Sequence, residues 1–231
     1  MIAGLSLFMI FACGEKKSEK NLQITGNIKG LKKGTLYIQR IVDTALVAID
    51  TINIDGDSHF ESDIDLKSPE MLYIFLDRGV TNSIDNNLPV FGEPGKINIE
   101  TELDSYFAKA KITGSKNHEL YEQYKKINSA FSEQLLSLAE AKFNAIKTKN
   151  QAELERINNK QQSIAKRKYL YTVNFAVNNS NYEVSPFLAL SEISDINLNY
   201  LETIQKSMSP KVKESLYGKK LTDYCNALKK S

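Results

Sequence analysis

Residues 111–124, Lys111-Ile112-Thr113-Gly114-Ser115-Lys116-Asn117-His118-Glu119-Leu120-Tyr121-Glu122-Gln123-Tyr124, hold the point at which the periodicity of the chain changes. N-terminal to it, apolar residues alternate with polar ones in short runs divided by turn residues. C-terminal to it, Leu120, Tyr124, Ile127, Phe131, Leu135, Leu138 and Ala145 recur at three- and four-residue steps, which predicts an amphipathic helix with Ser115 as its N-cap. The fold class expected is therefore α+β: an antiparallel β-sandwich or barrel-like domain over residues 21–114, then a helical domain over 115–231.

The helical half opens with a long antiparallel hairpin. Lys147-Thr148-Lys149-Asn150 reads as the turn, and a second stripe of Leu154, Ile157, Ile164, Tyr171 and Phe175 runs back from it. Helices of that length must bury their stripes against each other, the sheet or a partner. Asn178-Asn179-Ser180-Asn181 ends the second helix. Shorter helices are expected over 184–192, 196–207 and 210–229, the last announced by Ser209-Pro210.

The β half reads as eight strands. Leu22, Ile24 and Ile28 line the first, with Gly26 as a bulge or a site of close approach. Gly30 to Gly34 is a turn. Asp55-Gly56 signals a type I′ hairpin between Ala45–Ile54 and a strand carrying Phe60, Ser62 and Ile64. Met71 to Leu76 is a continuous apolar run, expected to be a central strand covered on both faces. Gly92-Glu93-Pro94-Gly95 is read as the turn of a further hairpin, and Phe107 to Thr113 as the last strand.

Composition excludes some roles. Apolar residues make up 42% and charged residues 25%, which is globular material. A formal net charge of +2 gives no reason to expect nucleic acid as a partner. The charge is uneven, net −5 over residues 21–114 and net +6 over 115–231, a bias common in helix-rich segments. The two cysteines, Cys13 and Cys225, form no Cys-x-x-Cys pair, so neither dithiol redox chemistry nor a cysteine-rich zinc site is expected.

The N-terminal residues carry an address. Ile2 to Ala12 is an almost unbroken apolar run of about eleven residues, too short to cross a bilayer but suited to the apolar core of a secretory signal. It stops at Ile10-Phe11-Ala12-Cys13, and the chain turns polar at once through Gly14-Glu15-Lys16-Lys17-Ser18-Glu19-Lys20. That boundary resembles the lipobox of bacterial lipoproteins. The resemblance implies a signal peptide over residues 1–12, acylation of Cys13, and residues 13–20 as lipidated cysteine and tether. More than one acyl chain, each methylene contributing about 0.8 kcal/mol, anchors stably where a single chain is marginal. The location implied is the cell envelope, as an outer-membrane lipoprotein whose membrane face the sequence leaves open.

A second resemblance covers about 95 residues. Ile24-Thr25-Gly26-Asn27-Ile28, Gly34-Thr35-Leu36-Tyr37-Ile38, Asp50-Thr51 ahead of Asp55-Gly56 and Phe60, and Ile112-Thr113-Gly114-Ser115 all take part. With Glu93-Pro94-Gly95-Lys96-Ile97-Asn98-Ile99 as their most distinctive member, they resemble the domain of unknown function 4369. That family occurs in Bacteroidota lipoproteins, often ahead of a thioredoxin-like domain, and has no assigned activity. This chain ends at Ser231, where many such relatives begin that domain.

Candidate chemistry is sparse. His59 lies among Asp55, Asp57, Asp63 and Asp65, but alternation places these side chains on a solvated face without calcium-loop spacing. His118, in the first turn of a helix with no second ligand four residues on, is expected at the surface. Cys225 is expected to pack within a helix. Asp43-Thr44 and Asp50-Thr51 read as strand residues, and Gly92 and Gly95 belong to no phosphate-cradling motif. No catalytic, cofactor-binding or metal-binding set is expected, and Cys13 is the one site residue, for lipidation. The function expected is that of a non-catalytic envelope lipoprotein, held on the membrane through its lipid and binding or scaffolding a protein partner. The rival is an accessory to a separate thioredoxin-like oxidoreductase or peroxide-metabolism system.

Overall fold

The computed structural model describes residues 20–79 and 83–230. Cys13 and the apolar run before it lie outside the described residues.

Two four-stranded sheets face one another. The first has the order β4-β1-β7-β8, from His59–Ile64, Leu22–Lys29, Gly95–Glu102 and Lys111–Thr113. The second has the order β3-β2-β5-β6, from Ala45–Asp55, Lys33–Val42, Glu70–Asp77 and Asn87–Gly92. Alternation along each strand sends Leu22, Ile24 and Ile28 of β1 and Leu36 and Ile38 of β2 into one core between the sheets. Tyr106 enters that core too: its hydroxyl donates to the carbonyl of Ile74 at 3.0 Å, and burial pushes its pKa well up. Gly26 marks a close approach rather than a bulge. A Cβ there would stand 2.5 Å from the carbonyl oxygen of Ile99 and 2.5 Å from the Phe60 ring.

Five strand expectations need correction. Asp55-Gly56 does not close a hairpin: only Gly56 has a positive φ, and the chain crosses there from β3 in one sheet to β4 in the other. A type I′ turn needs both central residues at positive φ. Gly92 to Gly95 is likewise a crossover, from β6 to β7. The first sheet is also mixed, because β7 lies parallel to β1 with Leu22 opposite Gly95 and Ile28 opposite Thr101. The last strand is shorter than expected, since Leu103–Ser105 form a 3₁₀ turn and β8 begins only at Lys111. Asp43-Thr44 are the two-residue tip of the β2–β3 hairpin, with Asp43 at φ 56°, not strand residues.

The helices follow as α1 (Lys116–Lys147), α2 (Gln151–Asn178), α3 (Val184–Glu192), α4 (Leu198–Ser207), α5 (Pro210–Lys213) and α6 (Leu216–Leu228). Ser115 caps α1 by accepting from the N–H of His118, and Asn150 caps α2 by accepting from the N–H of Glu153. The helix expected over 210–229 is broken. Ser215 accepts from the N–H of Gly218 and restarts it, and a Cβ at 218 would meet the carbonyl oxygen of Val212 at 1.9 Å. α3 to α6 pack on the C-terminal part of α2 around Val173, Ala176, Leu201, Ile204, Leu221 and Cys225.

The outer ends of α1 and α2 are different. Leu138, Ala145, Ile157 and Ile164, flanked by Phe131, Leu135, Ala141 and Leu154, form a thin core drawn from these two helices alone. From Phe131 outward the hairpin is thus a two-helix arm. Its root is marked by Lys168, whose Nζ lies 3.2 Å from Glu192 on α3.

Candidate functional site

The densest buried polar cluster lies where the sheets meet the helices. Glu93, in the crossover after β6, points at the N-terminus of α1. Its carboxylate accepts from the N–H of Lys116 at 2.5 Å, the N–H of Asn117 at 3.3 Å and the Asn117 Nδ2 at 2.6 Å. A carboxylate is well placed there, because the first N–H groups of a helix lack partners within it and carry partial positive charge.

Asn117 extends the network. Its Nδ2 also donates to Glu183 Oε2 at 2.9 Å, and its Oδ1 accepts from the N–H of Val184 at 2.8 Å. Glu183 is buried, and Lys211 brings its Nζ to 3.6 Å from Oε1. One asparagine therefore joins the β crossover, α1 and the start of α3.

His118 completes the cluster and corrects the expectation of a surface residue. It is 3% exposed, and the N–H of Phe91 donates to its Nδ1 at 3.3 Å. Ser115 donates its hydroxyl to the Phe91 carbonyl at 2.7 Å, so both backbone groups of Phe91 are tied to α1. The His118 pKa is lowered to about 4, chiefly by burial; Glu122, 3.7 Å away, opposes the shift and Lys125 adds to it.

A second clasp lies along the same interface. The Tyr217 hydroxyl accepts from the N–H of Met71 at 2.9 Å, and the Ser68 hydroxyl accepts from the N–H of Leu216 at 3.0 Å. Between the clasps sits an aromatic layer in which Phe91, Phe187 and Tyr217 meet edge to face, with ring centroids 5.0–6.0 Å apart. The cluster's chemistry is that of a joint: Glu93, Ser115 and His118 tie the sheets to α1, and Asn117 carries the tie on to α3.

The remaining candidates are dispersed. His59 is exposed; its backbone N–H donates to Asp57 Oδ1 at 3.0 Å and its Nδ1 lies 2.7 Å from the same oxygen, and these hydrogen bonds hold the Asp57 carboxyl below its usual range. Asp50 accepts from the hydroxyl of Ser62 across the two sheets and from the N–H of Thr51 at 2.8 Å. Cys225 is buried in the helical core, which pushes its thiol pKa up. Among the described residues no group of three or more His, Cys, Asp and Glu is placed to hold a metal ion, and no helix is long and apolar enough to cross a membrane.

A hollow of about 560 Å³ is an open basin of mixed charge lined by Lys206, Lys213, Glu214, Lys219 and Asp223. A smaller apolar hollow of about 330 Å³ lies among Tyr73, Asn87, Pro89 and Phe107 on the outer face of the second sheet. Two other surfaces expose large apolar side chains. On the arm these are Leu136 (65% exposed), Phe143 (68%) and Ile146 (57%), all on α1. At the tip of the β2–β3 hairpin they are Ile41, Val42, Leu46 and Val47, each 43–46% exposed. The helical period places the first group on one side of α1, away from the stripe that packs on α2; the expectation of a surface His118 and a bare catalytic inventory gave no hint of either patch.

Residues 22–121 match the family model for Domain of unknown function (DUF4369). The matched segment contains both sheets and runs into the first turns of α1, so it includes Glu93, Ser115, Asn117 and His118. No match to the chain was found among curated proteins or among solved structures.

Proposed function

We propose that this chain, whose residues 22–121 are a DUF4369 domain, is a non-catalytic cell-envelope lipoprotein that presents its helical arm to a protein partner. The observation that carries the reading is the exposed line of Leu136, Phe143 and Ile146 on an arm whose own core is only one layer deep. Large apolar side chains exposed together on one side of an element, rather than scattered singly, mark interaction sites in soluble domains. Aromatic side chains such as Phe143 are enriched at interface centres.

The joint supports the same reading. Two clasps and the aromatic layer tie the start of α1 and the helical body that carries the arm to the sheets, as a presenting scaffold requires. The lipobox-like boundary at Cys13 supplies the address. The acyl chains hold the β domain at the membrane, and the arm extends about 25 Å beyond Phe131, taking 1.5 Å per residue from there to the turn.

The test is affinity recovery from crosslinked cells with the wild-type chain and a Phe143→Asp variant. A specific envelope protein retained by the first and lost by the second is expected. Equal recovery by both, with the variant's helix content intact, would remove the arm from the account. Recovery of a thioredoxin-like protein would identify the chain as an accessory to thiol–disulfide chemistry performed elsewhere.

A further inference from the structure

We infer that the tip of the β2–β3 hairpin is a membrane-surface contact, which rests on the lipid anchoring just proposed and specifies how the anchored domain meets the bilayer. The ribbon pairs Ile41 with Leu46, Arg40 with Val47, and Val42 with Ala45. Period-two alternation therefore puts Ile41 and Leu46 on one face, and Val42 and Val47 on the other. Pairing of β2 with β5 stops at Arg40, opposite Leu72, so the last residues of the hairpin extend beyond the second sheet. At this projecting end each of the four aliphatic side chains leaves 43–46% of its surface exposed.

Position names the occupant. The tip lies at the end of the sandwich where the chain enters from Cys13. A Cβ on Gly92 would touch Leu72 at 2.8 Å and Leu22 at 3.3 Å, so the start of β1 and the Leu72–Arg40 pair are neighbours across the sheets. The N–H of Gly95 donates to the carbonyl of Asn21 at 2.9 Å, which fixes the entering chain at that same end. The sequence leaves seven residues, 14–20, between Cys13 and this point, a reach of at most about 25 Å. An acylated Cys13 thus keeps the bilayer within one tether length of Asn21, at the same end of the sandwich as the hairpin tip.

The apex sets the depth. Asp43 and Thr44 are polar, and a carboxylate does not leave water without a partner, so the contact is confined to the headgroup boundary. The aliphatics on either side of the apex reach the upper acyl chains, while Arg40, paired with Glu70 at 3.2 Å, stays at the sheet end. A tether alone would let the domain swivel. A second contact beside it fixes one orientation and so the direction in which the arm is offered.

The chain contains no tryptophan, which permits a single-fluorophore test. The full-length acylated protein, carrying Leu46→Trp, Val47→Trp or Phe143→Trp, is reconstituted into phosphatidylethanolamine–phosphatidylglycerol vesicles with and without brominated acyl chains. The inference expects a blue-shifted emission, quenched severalfold by the brominated lipid, for the variants at 46 and 47, and none for the variant at 143. Unquenched emission at both 46 and 47, in protein that floats with the vesicles and carries its lipid, overturns the tip contact and leaves the anchor standing. Protein that neither carries lipid nor floats overturns the anchor and this inference together.

Discussion

The backbone N–H of Phe91 donates to Nδ1 of His118 across 3.3 Å, which holds the imidazole in its neutral form with the proton on Nε2. Burial lowers its pKa to about 4, so the folded chain refuses a proton that the unfolded chain accepts near 6.5. The sign follows from linkage. The stability contributed by the neutral ring is complete above the unfolded value and is lost as pH falls from there toward about 4, by at most about 3 kcal/mol. Denaturant midpoints measured downward from neutral pH should fall through that window, and the fall should be shallower in His118→Gln. A midpoint independent of pH across the window contradicts the assignment.

Asn117 and Glu93 do unequal work at the joint. Glu93→Gln keeps an acceptor at the start of α1 and loses the charge, which should cost about 1 kcal/mol. Asn117→Ala strands the buried Glu183 carboxylate and the N–H of Val184 together, and should cost about 3 kcal/mol or more. Urea unfolding of the two variants measures the order. A larger loss for Glu93→Gln would mean that the bridge to α3 is not what holds the joint.

The arm should be the least stable helical part of the molecule. Its core is Leu138, Ala145, Ile157 and Ile164 with four partly buried neighbours, whereas the body packs α2 against four further helices, α3 to α6. Amide exchange should therefore be faster for residues 138–160 than for 169–177. Ile157→Ala should remove about 2–4 kcal/mol of local protection and speed exchange in the arm, leaving the body's rates unchanged. Uniform protection along α2 would show that the arm unfolds only with the whole.

Cys225 should be inert in the folded state. It is fully buried among α2, α4 and α6, and its raised pKa leaves little thiolate. Maleimide labelling should be slow in native buffer and fast in denaturant. Fast native labelling would place the thiol at the surface.

How far the sequence carried this account depended on whether each feature is local. The change of period at Ser115, the two long helices and their turn, and the count of eight strands rest on residues a few positions apart, and the structure has all of them. Turn residues at Asp55-Gly56 and Gly92 to Gly95 announce a reversal without saying which sheet receives the next strand, so two crossovers read as hairpins. The parallel pairing of β1 with β7 joins segments about 70 residues apart, and nothing in either strand encodes it. His118 looked exposed because first-turn positions usually are; its burial comes from Phe91, which the sequence places 27 residues away. The distinctiveness of Glu93-Pro94-Gly95 was visible, but its cause was not, since the cap it supplies belongs to a helix that starts 23 residues later.

The central claim is that the domain is tied to a membrane through Cys13, and intact mass spectrometry of the protein purified from its native membranes tests it most directly. The account predicts a chain that begins at Cys13 and carries a diacylglyceryl mass on that residue. A chain beginning at Met1 with no attached lipid would contradict it.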